Sequence, residues 1–239
     1  MTSTTDTALS DAPESFYERL LGETEKEREA FLAIPILQAG VAGKIDRSTY
    51  LAFLSQAYHH VGQTAPLLMA CGERLPARLN WLRKAVAEYI SEEIGHEEWI
   101  LDDIRECGGD AAAVQESTPG FATEQMIAYA WYTVLRGNPV GFFGMVLVLE
   151  GTSVSLATRA AGALSESLGL PASCFTYLTS HGSLDVSHME HFRKLMDRIT
   201  DDGDQRAIIH CARRMYRLYG DIFRSLTPAA SDKGESHEA

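Results

Sequence analysis

An all-α fold, a single domain of seven or eight helices, is predicted by three observations. Apolar residues recur three and four positions apart through most of the chain. The interruptions are those that start and stop helices: proline, glycine, and Asp or Asn at cap positions. No stretch alternates as a strand, and no period repeats.

Residues 1–12 and 227–239 are small and polar and are expected to be disordered tails around a domain of residues 13–226. Asp11 ahead of Pro13 and Glu14 starts the first helix, along which Phe16, Leu20, Leu21 and Phe31 recur. After a turn at Gly43, Asp46 caps a helix through Tyr50, Leu54, Ala57 and Val61. Pro66 should kink that helix, because it has no amide proton and clashes with the preceding turn. The next helix is expected to run unbroken from near Pro76 to Cys107, where Gly108-Gly109 stops it, and residues 110–121 read as loop. Glu124 to Leu135 is helical again. Asn138-Pro139 then opens a helix to about Leu164, and Leu170-Pro171 opens the segment carrying His181 to Ile199. Asp201-Asp202-Gly203 turns the chain into a last helix striped by Ile208, Ala212, Met215, Tyr219, Ile222 and Leu226.

With 239 residues, 45% of them hydrophobic, the chain has material for a sizeable core. A net charge of -12 without a basic patch argues against a nucleic-acid partner. No apolar run is expected to span a membrane, since the longest, Val140 to Leu149, is interrupted by Gly141 and Gly144. The polar first fifteen residues lack the basic and apolar regions of a signal peptide. Cys71, Cys107, Cys174 and Cys211 are scattered without a C-x-x-C pair, so they read as reduced core thiols and the expected compartment is cytoplasmic.

The chemistry concentrates in three places. His181-x3-Asp185-x2-His188 puts two imidazoles and a carboxylate within roughly 60° on one helical face. Those are ligands that iron or manganese prefers, although a histidine-rich amphipathic helix reads the same way. Glu150 is the only charge between Arg136 and Arg159, inside an otherwise apolar helix. A buried carboxylate needs a counter-charge, either a metal or an arginine of the last helix such as Arg213, Arg214 or Arg217. Glu93 and His96 are spaced i,i+3, so both can reach one metal from a helix, and Glu92 can substitute for Glu93. Glu93, His96, Glu150, His181, Asp185 and His188 together supply three carboxylates and three imidazoles, nearly neutralising two Fe(II). His191, one turn further along, is an alternative ligand. Tyr58 with His59 or His60, and Phe142 and Phe143 with Met145 and Leu67, are candidates to wall a substrate pocket, and His210 and His237 read as surface.

This set, spread over roughly residues 15–226, resembles the heme-oxygenase-like diiron oxidases and oxygenases, whose superfamily includes the TenA-type thiaminases and the PQQ-synthesis oxidase. The resemblance implies a heme-oxygenase-like bundle with those six ligands. Several members space the first Glu and His more widely, which leaves Glu92 or Glu93 open. It also implies two iron ions, O2 as cosubstrate, a small-molecule substrate such as a fatty acid or amino acid derivative, an external electron donor and a homodimer. Heme oxygenation is disfavoured, because no clear proximal His pairs with a glycine-rich distal helix. TenA-like hydrolysis is disfavoured because no cysteine sits in a nucleophile setting with a base. The absence of thiolate ligands argues against structural zinc. The competing expectation is a non-catalytic or regulatory TenA-like ligand-binding protein on the same fold.

Overall fold

The computed structural model describes residues 15–226, with the side chains of residues 183–187 outside that description. The two expected tails lie outside the described residues. Among those described, the chain forms twelve α-helices and three short 3-10 turns, with no strand. The fold class is as the sequence predicts. The larger number of helices arises where expected helices divide and where one forms in an expected loop.

Ser15 caps α1 (Phe16–Glu23), and α2 (Glu25–Leu32) and α3 (Pro35–Val41) follow. Asp46 caps α4 (Arg47–Val61) by accepting the Thr49 amide at 2.7 Å. The kink expected at Pro66 is instead a break at Gly62-Gln63. Pro66 thus falls in the first turn of α5 (Thr64–Arg74), where a missing donor costs nothing. The helix expected from Pro76 to Cys107 also divides, into a turn at Ala77–Leu79, α6 (Asn80–Glu93) and α7 (His96–Glu106). At the second break Ile94 is extended and Gly95 adopts φ 92, a left-handed conformation open mainly to glycine. The expected loop at 110–121 contains α8 (Ala111–Glu116), which Asp110 caps by accepting the Ala113 amide.

α9 (Phe121–Leu135) leads through a turn begun by Asn138 and Pro139 into α10 (Phe143–Leu168). α11 (Thr176–Met196) and α12 (Asp202–Ser225) complete the bundle. α10 packs along both of them, and every residue from Val140 to Val148 is buried. A Cβ on Gly144 would collide with the Ile208 carbonyl and the Ala212 amide, so this glycine sets how closely α10 approaches α12. With its preceding turn, this segment (Pro139–Leu168) is long and apolar enough to cross a membrane by length and composition. That corrects the expectation drawn from Val140 to Leu149 alone, and its place in the core accounts for its apolarity.

Two buried carboxylates brace the bundle. Asp204, on α12, takes a two-pronged bond from Arg78 at 2.6 and 3.1 Å and another from Asn138 at 2.8 Å. Asp103, on α7, accepts the Thr176 and Tyr177 amides at 2.8 and 2.9 Å. It thereby ties the helix that begins at His96 to the first turn of α11.

Candidate metal centre

Four helices bring the site together. Glu93 is the last residue of α6 and His96 the first of α7, so the pair straddles the Gly95 turn and does not share a helix as the spacing predicts. The turn still brings them together, with His96 Nδ1 3.4 Å from Glu93 Oε2. Glu150 lies on α10 and His181 and His188 two turns apart on α11. Gly182, against Thr158, holds the His181 end of α11 close to α10.

Donor atoms of Glu93, His96 and His181 lie within 4.8 Å of one another, as do those of Glu93, Glu150 and His188. Glu93 belongs to both groups. Its side chain is only 10% exposed, and burial alone would raise its pKa. The contact with His96 and the nearby His181 and His188 outweigh burial and hold it below the usual carboxylate range. Glu150 Oε1 faces His188 Nδ1 at 3.9 Å. Of the arginines weighed as its partners, Arg213 pairs with Glu23 and Arg217 with Asp221. Glu92 meets His188 Nε2 at 3.2 Å from a side chain 52% exposed, so both carboxylates at 92 and 93 reach the site and Glu93 is the buried one. Asp185 lies in α11, but its side chain is outside the described residues. His191 is exposed, its ring 6.2 Å from that of Tyr89.

The surroundings orient the imidazoles. His181 Nδ1 donates to the Tyr177 carbonyl at 3.1 Å, which leaves Nε2 with the lone pair that a metal needs. Trp99 stacks on His96 with ring centroids 4.1 Å apart, and the Tyr89 ring stands edge-on to His188.

A cavity of about 150 Å³ opens beside Glu93, Glu150 and His181. Its wall is largely apolar (Leu68, Met145, Leu149 and Leu156 among others), and no Lys or Arg lines it. Of the predicted wall residues, Phe142 and Met145 line it; Tyr58, His59, Leu67 and Phe143 do not. Tyr58 packs on the cluster beneath α4, His59 bonds Ser117 Oγ at 2.9 Å, Leu67 is in the core, and Phe143 packs against Phe192. The histidine that does line the cavity is His60, and Tyr89 lines it too. Helical phase carried the His60 signal. Against the stripe of Tyr50, Leu54, Ala57 and Val61, His59 lies about 180° away and His60 only about 80°. No sequence signal singled out Tyr89.

Burial pushes the thiols of Cys71, Cys107 and Cys211 up to about 12, far from the ionised state a nucleophile needs.

A family model described as an iron-containing redox enzyme matches residues 51–220. No curated protein sequence matches the chain significantly. Among solved structures, a domain of unknown function with a heme oxygenase-like fold from Shewanella denitrificans is similar, with TM-score 0.78 and 20% identity over 90% of this chain and 93% of that one. A TenA homologue from P. horikoshii has TM-score 0.74 and 11% identity, covering 89% and 98%. Heme oxygenase-1 from Synechocystis, in complex with heme, has TM-score 0.71 and 12% identity, covering 89% and 92%. At these identities the likeness is one of fold.

Proposed function

The chain belongs to the iron-containing redox enzyme family, and on that premise we propose that it is a non-heme iron oxidoreductase using O2. It would hold two iron ions, draw electrons from an external donor, and act on a small or medium-chain, largely apolar organic molecule. The observation that carries this reading is that Glu93 belongs to both donor groups. Glu93, His96 and His181 would hold one ion and Glu93, Glu150 and His188 the other, with Asp185 the expected further ligand. The donor set fits iron: nitrogen and oxygen ligands without thiolate suit it. The side chains of Glu93 and Glu150 are only 10% and 12% exposed, beside His96 and His188, a setting that a bound cation would stabilise.

Iron bound there would supply the electrons that activate O2 for attack on a C–H or N–H bond. The remaining work falls to the chain's own residues. Tyr177 fixes the His181 ring through its carbonyl, and Trp99 and Tyr89 pack against His96 and His188 so that the donors are held before an ion arrives. The apolar wall would take up the substrate and exclude water from the reacting groups.

An anaerobic Fe(II) titration of the metal-free protein tests this. Saturation near two ions per chain, followed by O2 consumption in the presence of a reductant, is the expected result. Saturation near one would remove the second ion from the proposal. No binding would favour a TenA-like ligand-binding or regulatory protein, a reading that the TenA homologues of this fold keep in play.

A further inference from the structure

We propose that His60 is the polar recognition point of the cavity, and that the preferred ligand is an apolar molecule carrying an uncharged hydrogen-bonding group such as a hydroxyl or amide. This rests on the cavity being the substrate site of the proposed oxidoreductase.

His60 is 2% exposed, lines the cavity from α4, and stands edge-on to the Tyr219 ring at 5.7 Å. Its Nδ1 is buried without a hydrogen-bond partner among the described residues. Ser153 Oγ, one turn beyond Glu150 on α10, is likewise buried without a partner and lines the same cavity. Buried polar atoms are nearly always satisfied, so two such atoms, on residues that line one cavity from different helices, mark where a ligand's polar group would sit.

The group must be uncharged. Burial, with His181 and His59 adding to it, lowers the His60 pKa to about 3, so the ring is neutral and offers one donor and one acceptor. A proton shuttle at neutral pH would need a pKa near 7, so His60 acts by hydrogen bonding and not as an acid. It belongs to neither donor group around Glu93. No Lys or Arg on the wall would pair with an anionic group at His60, and the iron proposed at Glu93 and Glu150 would be the cation such a group could reach instead.

The test uses the metal-free full chain and two probes of similar length, 1-octanol and 1-chlorooctane, each displacing the fluorescent reporter N-phenyl-1-naphthylamine. The ratio of octanol to chlorooctane affinity should fall about five- to tenfold in His60→Phe, the worth of one net hydrogen bond, and largely survive in His60→Gln. An unchanged ratio in a folded His60→Phe variant would overturn the proposal and leave an internal water as the partner. If that variant does not fold, the Nδ1 nitrogen-15 shift of His60 in the unmodified protein decides. Movement on adding octanol supports the contact, and no movement refutes it. The probes need no iron. An empty Fe(II) titration beside a retained octanol preference would therefore sink the oxidoreductase reading and leave the His60 contact standing in a cavity that binds its ligand without iron.

Discussion

Replacing a single glycine by alanine can distinguish the broken helix at Glu93 and His96 from the continuous one that the spacing suggests. Gly95 adopts φ 92, and a Cβ there would meet nothing within 4 Å, so the penalty of Gly95→Ala is that of the backbone conformation alone. A left-handed alanine costs about 1–2 kcal/mol. On a continuous helix the same change would instead stabilise by about 0.5–1 kcal/mol, because glycine is the poorer helix former. The two geometries therefore predict opposite signs. Two further glycines calibrate the scale. Gly162 lies inside α10 with nothing within 4 Å of its Cβ position, so Gly162→Ala should stabilise by the helix-propensity amount. Gly144 is crowded by backbone atoms of α12, and Gly144→Ala should cost about 1–3 kcal/mol or more by forcing the helices apart. Urea denaturation of the metal-free variants measures all three, and the expected order of stability is Gly162→Ala, unmodified protein, Gly95→Ala, Gly144→Ala. A Gly95→Ala variant more stable than the unmodified protein would refute the turn and return Glu93 and His96 to one helix.

The site makes its own prediction: Glu150→Ala and His188→Ala should each abolish iron loading with far-ultraviolet circular dichroism nearly unchanged, and normal iron content in both would dismiss the ligand assignment. Burial raises the Asp103 pKa from 3.8 to about 6 despite the two amides it accepts. Its stabilising share is thus full below about pH 4 and is lost as pH rises through 6. The stability gap between the unmodified protein and Asp103→Asn should accordingly narrow from pH 4 to pH 7 in thermal melts, and a widening gap would mean that the amides outweigh burial. Asp204 behaves in the opposite sense: burial pushes its pKa up, but Arg78 and Asn138 outweigh it and leave the carboxyl below its usual 3.8. Its contribution is present above pH 4 and lost on acidification through the lowered pKa, so Asp204→Asn should flatten the acid limb of the stability profile.

Glu93, His96, Glu150, His181 and His188, which the sequence nominated, come together in the fold, but the path of the backbone between them was not legible. Spacing converts to geometry only where the helix is continuous. His181 and His188 satisfy that condition, and α11 delivers both to the site. Glu93 and His96 do not, and they meet because a left-handed glycine turns the chain between them. The mark of that turn is one Gly immediately before His96, and isolated glycines also occur inside unbroken helices here, as Gly162 shows. The break ahead of Pro66 was nearer to hand. A proline's clash falls on the residue four before it, here Gly62, so the helix yields at that glycine and the proline opens the next one. Asp103 was hidden for a different reason. It sits beside Asp102 in a run of acidic residues that reads as a solvated face, and only tertiary packing turns it onto the start of α11. His59 and His60 show the remaining step. Residue type nominated both, and composition cannot choose between neighbours. The phase of α4 against its own buried stripe sends the first toward Ser117 and the second into the cavity. Its unsatisfied nitrogen there turns an apolar pocket into one able to select among apolar ligands.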